Sequence, residues 1–306
     1  VKRLILNADD LGLTPGVNRA AMELARAGAL TSATLMAAAP ATEEAAESAL
    51  ELPSLGVGCH VVLVDGRPVL PAERIPTLID PRSGHRNGRR SRHRSADGGP
   101  RFRPTLGALA ADLLRGRVSE ADIEAEAVAQ IRRLQRLDLQ VTHVDTHKHA
   151  HAFPRVLRPL LRAAVLCNVA CVRNPFEPEW SVAAAVAAGL KRRLQVRALN
   201  TQRAYFLDAV EHIGMVTTDG ALGVAATGSM TADSLRQTLG AMPEGVWELV
   251  CHPGYCDPGL RAAGTRLIES REIERRTLLE VVPEFAAELS LLHFGQLKVA
   301  SFASVI

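Results

Sequence analysis

Two hydrophobic rhythms alternate along the chain. Residues 4–6 form an apolar run long enough for a buried strand and too short for a helix. The run leads into Asn7-Ala8-Asp9-Asp10-Leu11-Gly12. Thr14 is placed to cap a helix that begins at Pro15, with Val17, Ala21, Leu24 and Ala25 as its apolar stripe. The same alternation continues. Strands are expected at 30–36, 55–63, 139–144, 170–172 (weakly) and 246–251, with a closing strand at 299–302. Helices are expected at 41–52, 119–137, 154–165, 181–199, 231–239, 268–279 and 283–294. Ser119 and Asp122 resemble a capping box, and Ile123, Ala127, Ile131 and Leu134 supply that helix's buried stripe. Residues 64–104 lack clear periodicity and read as a long, partly mobile excursion.

Strands alternating with helices at this spacing predict a parallel α/β sheet. Asp9 and Asp10, His60, the run 143–151, Arg173 and His252 all fall at the same end of successive strands. A (β/α) barrel builds its active site there. A single TIM-like barrel spanning 1–306 is therefore the expected architecture.

Four of these places are candidates for chemistry. Asp9-Asp10-Leu11-Gly12 reads equally well as a plain turn or as paired carboxylates over a site. In Thr142-His143-Val144-Asp145-Thr146-His147-Lys148-His149-Ala150-His151, four histidines and one aspartate occupy alternate positions. Any extended part of the run puts them on one face, where imidazoles can hold a divalent metal and the carboxylate can orient one of them. A solvated polar tract is the competing reading. It is weakened because the whole chain has only 10 histidines. His60 alone reads as a partly buried histidine. His252, between Cys251 and Pro253-Gly254-Tyr255, is either a turn residue or an acid/base group over the site.

Composition narrows the setting. Hydrophobic residues make up 47% and charged residues 23%, ordinary for a globular chain, and no segment approaches a membrane span. The five cysteines form no C-x-x-C pair, so reduced thiols and a cytoplasmic location are expected. The net charge of +3 conceals a local excess. Between Pro81 and Arg103 there are eight arginines and one acid, which leaves the remainder of the chain net acidic. With one aromatic (Phe102), that stretch is a weak nucleic-acid binder and reads first as a solvated basic insert at about 81–104. Docking on anionic lipid headgroups, helped by the basic residues 191–197, is the alternative that would serve function.

The four blocks Asn7–Gly12, Gly58–Leu63, Thr142–His151 and Cys251–Tyr255 resemble, in order and spacing, the YdjC-like carbohydrate deacetylases. Residues 61–71 and the His-Lys-His-x-His pattern look most like the hopanoid biosynthesis-associated branch. The resemblance implies a distorted (β/α) barrel with one divalent ion, magnesium or zinc. It implies Asp10, His60 and His147 as metal ligands, Asp9 as general base and His252 as acid. His149, His151, Arg173 and Tyr255 are the implied substrate-binding set. The implied substrate is an N-acetylated amino sugar or glycolipid. No nucleic acid is expected, and peripheral membrane contact and a homodimer are left open. Leu11, Cys59, Ala150 and Ala152 depart from the family's usual residues, which touches substrate fit. A soluble chito-oligosaccharide deacetylase, a phosphoester hydrolase and a non-catalytic sugar- or metal-binding protein remain as alternatives.

Overall fold

The computed structural model describes residues 1–83, 99–184 and 189–297. Its central strand is β1 (Lys2–Leu11), buried from Leu4 onward. It pairs on one edge with β2 (Ser32–Leu35) and on the other with β7 (Gly245–Cys251). Beyond β2 follow β3 (Gly56–Val61), β4 (Val141–Thr146) and β5 (Cys171–Val172); β6 (Gly220–Leu222) lies outside β7. Every named pairing is parallel, which explains the near-continuous apolar runs: both faces are covered. A single parallel bridge, Cys171 to Val216, lays the chain just before β6 alongside β5. The sheet is thereby curled into a distorted barrel, as expected from sequence.

Alternation along β1 sorts the two faces. Leu4, Leu6 and Ala8 join the large core beneath the helices, whereas Ile5 belongs to a small separate cluster with Cys171 and Phe294 inside the curl. Above that apolar floor the inner face turns polar. Asn7, Ser32, His143 and then Asp9, Thr34, His60, Asp145, Arg173 and Glu248 are all buried. His143 stacks on Phe294 with ring centroids 3.9 Å apart. It occupies space left by Gly58, where an added Cβ would lie 2.4 Å from the imidazole.

The helix Pro15–Arg26 begins as expected: Thr14 accepts a hydrogen bond from the Val17 amide, and Pro15 opens the first turn. Helices Thr42–Leu50, Glu120–Gln135 and Pro154–Leu166 also lie where the periodicity put them. Two expectations are corrected. The proposed helix at 283–294 is a short 3-10 turn, Val282–Phe285, followed by β8 (Leu289–Leu291), which pairs with β1. The helix at 181–199 is two pieces, Glu179–Ala184 and Leu190–Asn200. The described residues of 64–104 are tied to the rest of the fold. The Asp65 amide donates to Arg103 O, the Phe102 amide donates to Gly66 O, and Phe102 and Arg103 are buried. Most of the arginine-rich stretch, 84–98, and the closing strand expected at 299–302 lie outside the described residues.

Gly58→Ala is expected to destabilise the fold by about 1–3 kcal/mol, the cost of overpacking a filled core. Urea denaturation of Gly58→Ala, His143→Ala and the double variant checks this. Coupling between the two sites, with the double variant less destabilised than the sum, is the expected result.

Candidate metal centre and active site

Asp9 and Asp10 lie within the last turns of β1 rather than after it, and a local irregularity lets both face the site. The pairing of β1 with β2 slips between Ala8 and Leu11, and Asp10 has φ of +63°. In a regular strand, neighbours point to opposite faces; a bulge with one left-handed residue re-aims the second side chain, and aspartate tolerates that conformation. The histidine run is extended only through Thr146. Residues His147–Ala152 then wind into a 3-10 segment in which Lys148 and His149 have φ of +58° and +53°. The expected single face of alternating histidines is thus broken after β4. His143 lies low in the barrel, His147 rises at the mouth, and His149 and His151 turn aside.

Asp10, His60 and His147 converge. His147 Nδ1 lies 3.1 Å from Asp10 Oδ1, His60 Nε2 lies 3.5 Å from the same oxygen, and the two imidazole nitrogens are 3.2 Å apart. Three ligands about 2.0–2.1 Å from a tetrahedral ion are about 3.3 Å from one another. Asp10 Oδ1 is buried and makes no hydrogen bond. Nδ1 of His60 lies 2.8 Å from the Asp145 carboxylate, which holds a proton on that nitrogen and leaves Nε2 as the one where a cation would displace a proton. This arrangement, with a carboxylate behind a ligand histidine, is the usual support of a metal-bound imidazole.

Arg173, from the end of β5, lies beneath this centre. It donates to Asp9 through both terminal nitrogens, at 2.9 and 2.7 Å, to Glu248 at 2.8 Å, and pairs with Asp145. Asn7 also donates to Asp9 Oδ1 at 3.1 Å. Burial disfavours charge on Asp9, but Arg173, His60 and His252 hold its carboxyl well below the usual range. Burial likewise opposes ionisation of Asp10; Arg271, His147 and His60 outweigh it. Asp9, Asp10, Asp145, Glu248 and, against His252, Glu274 are five buried carboxylates gathered with two guanidiniums, Arg173 and Arg271. Without an added cation the shortfall is met by protons. Burial pushes Glu248 up to about 7. Against the opposing effect of burial, Asp145, Asp9 and Asp10 push His60 up to about 10. A divalent cation among Asp10, His60 and His147 would take over that charge. The residues fit such an ion.

The remaining expected site residues divide. His252, at the end of β7, has Nε2 3.8 Å from Asp9 Oδ2, and with His147 it is the more accessible part of the cluster. His149 is half-buried, with an unpartnered Nδ1. His151 is fully buried, bonded to Thr146 Oγ1 at 2.7 Å and lying 3.2 Å from Arg173 O. Arg173 is also fully buried and saturated by carboxylates. These two side chains lie beneath the more accessible His147 and His252. Tyr255 engages two helices: its ring lies between Arg19 and Arg275, and its hydroxyl donates to Glu23 at 2.8 Å. Sequence reasoning missed Glu248, Arg271 and Glu274. Arg271, Glu274, Leu278 and Val281 form the buried stripe of helix Glu269–Val281. Two charged residues on a face that should be apolar were the available signal.

Fold and centre together define a distorted (β/α) barrel with a strand-end Asp/His site suited to a divalent ion. The chain belongs to the family of YdjC-like proteins, whose model matches residues 3–289. It is 31% identical over 288 residues to a carbohydrate deacetylase of Geobacillus stearothermophilus, covering 94% of this chain and 92% of that one. Identity to the carbohydrate deacetylase of Thermoanaerobacter pseudethanolicus is 27% over 280 residues, 92% of each chain. A solved structure from Enterococcus faecalis V583, put forward as a cellobiose-phosphate cleavage protein, shares the fold. It aligns with a TM-score of 0.71 at 24% identity, over 96% of this chain and 97% of that one.

Asp145→Asn keeps the shape of the side chain and removes the charge that orients His60. Affinity for zinc is expected to fall about 10–100-fold, as for other carboxylates behind ligand histidines. Competition against a chromophoric chelator measures it; unchanged affinity would remove Asp145 from this role.

Proposed function

We propose that this chain is a carbohydrate deacetylase, a hydrolase that releases acetate from the N-acetyl group of an N-acetylglucosamine-type sugar. The observation that carries the reading is the convergence of Asp10 Oδ1, His60 Nε2 and His147 Nδ1 beside the ionised Asp9 and His252. The deacetylase names of relatives matched along almost the whole chain support it.

Asp10, His60 and His147 would hold the ion, which when bound supplies Lewis-acid polarisation of the acetyl carbonyl and acidifies the attacking water. Asp9 acts as the base. Its Oδ1 already accepts from Arg173 and Asn7, so Oδ2, with one Arg173 bond, is the freer oxygen to take the water's proton. Burial draws the pKa of His252 below its ordinary value, so the ring is neutral near pH 7. Its Nε2, 3.8 Å from Asp9 Oδ2, would receive that proton through one bridging water and pass it to the departing amine. The water oxygen forms the new bond to the carbonyl carbon, the C–N bond breaks, and acetate and a free amine leave.

The finer reading is a sugar carried on a hopanoid-type lipid. It rests on the likeness of residues 61–71 and of His147-Lys148-His149-Ala150-His151 to the hopanoid-associated branch. Among the described residues no helix is long and apolar enough to cross a membrane, so contact with a lipid substrate would be peripheral, through basic segments.

Acetate release is to be followed on N-acetylchitobiose and on an N-acetylglucosaminyl lipid, with and without chelator. Chelation is expected to abolish turnover on both, and the lipid is expected to be preferred. Asp9→Asn should retain the metal and lose about 10²–10⁴-fold in kcat, whereas Asp10→Asn should lose metal and activity together. Full activity of metal-loaded Asp9→Asn would remove Asp9 as the base.

A further inference from the structure

Helix Glu269–Val281 lies outside the strand-end pattern, yet one of its turns reaches both halves of the site. Arg271 is fully buried and donates from Nη2 to Asp10 Oδ2 at 2.5 Å. Its Nε donates to Leu267 O at 3.2 Å, and its carbonyl accepts from the Gly254 amide at 3.2 Å. Room for the side chain is left by Gly254, where a Cβ would lie 3.1 Å from Arg271 Cδ. Three residues on, buried Glu274 accepts the His252 amide on Oε2 at 2.6 Å and the Gly228 amide on Oε1 at 3.4 Å.

We propose that Arg271 is the positioning residue of the metal centre: it fastens Asp10 Oδ2 so that Oδ1 alone is presented to His60 Nε2 and His147 Nδ1. Glu274 holds the backbone of His252 from the same helical turn, so one rigid element sets the spacing between cation grip and proton donor. The hold on Asp10 is steric as well as electrostatic. Of the three converging residues Asp10, His60 and His147, Asp10 alone is in a left-handed conformation, and its carboxylate can rotate. With Oδ2 pinned, rotation stops and the oxygen left without a hydrogen bond is the one facing the imidazoles. A guanidinium suits this better than an ammonium, because its planar fork spends one nitrogen on Asp10 while another is anchored on Leu267 O. The inference rests on the proposed metal-dependent reading and adds Arg271 to it.

The test is titration of the metal-free, full-length protein with cobalt(II), read from the visible absorption of the bound ion, independent of any sugar. Wild type is expected to bind one equivalent. Arg271→Met should bind about 10–100-fold more weakly, in the range found for groups that orient ligands. Arg271→Lys, which keeps the charge with less reach, should fall between the two. Should Arg271→Met fail to fold, the loss in Arg271→Lys decides the matter. Glu274→Gln should leave cobalt affinity near that of wild type and lower kcat. Wild-type affinity in Arg271→Met overturns the inference and leaves the metal-dependent reading standing. Equal loss in Glu274→Gln also overturns it, because the effect would then be general loosening of the helix. A wild-type protein that binds no cobalt overturns both.

Discussion

A shortage of positive charge among the buried carboxylates at the barrel mouth governs the design of this molecule. Five carboxylates, counting Glu274 beside His252, are buried there with two guanidiniums, and burying uncompensated charge is among the costliest things a fold can do. Arg173 offsets most of the debt by serving Asp9, Asp145 and Glu248 at once. What remains is concentrated where Asp10, His60 and His147 meet. Protons can occupy that deficit, as the raised positions of His60 and Glu248 show, but they compete with any cation that the same atoms would bind. Holding the anions at fixed points therefore prepares the site for a divalent ion.

The barrel makes such a cluster affordable. Its inner face carries Ile5, Cys171 and Phe294 as a dry floor, then His143 and Asn7, then the charged layer. Because the strands run parallel and in register, residues from β1, β3, β4, β5 and β7 reach one level without long side chains. The bulge at Asp10 adds a second carboxylate from β1, which a regular strand could not supply on the same face. The segment that follows β3 is tied down from outside the sheet. Gln130 clamps both the amide and the carbonyl of Val62, and Glu126 accepts from the amides of Val69 and Leu70. Buried polar residues on helix Glu120–Gln135 thus hold the loop that follows β3, just beyond His60.

Much of this was legible in the chain. The strand-end placement of Asp9, Asp10, His60, His147 and His252 follows from periodicity and spacing, because short apolar runs ending in polar residues have few other uses in an α/β sheet. The second layer was not legible. Glu248 lies inside β7, where an apolar neighbourhood gives no hint that its side chain enters a polar barrel. Which histidine Asp145 supports depends on the β3–β4 register, which sets it beside His60. The 3-10 turn at His147–Ala152 depends on left-handed backbone at Lys148 and His149, which sequence alternation cannot reveal. The end of the chain misled for a related reason. The apolar spacing of 283–294 suits a helix, but pairing with the exposed start of β1 draws Leu289–Leu291 into the sheet instead.

The most direct test of the account is the zinc X-ray absorption spectrum of the protein loaded with one equivalent of metal. Two imidazole nitrogens together with carboxylate and solvent oxygens around the ion, reduced to one imidazole in His60→Ala, would agree with it. A spectrum without imidazole, or one that His60→Ala leaves unchanged, would contradict the claim that this buried charge deficit is built to hold a cation.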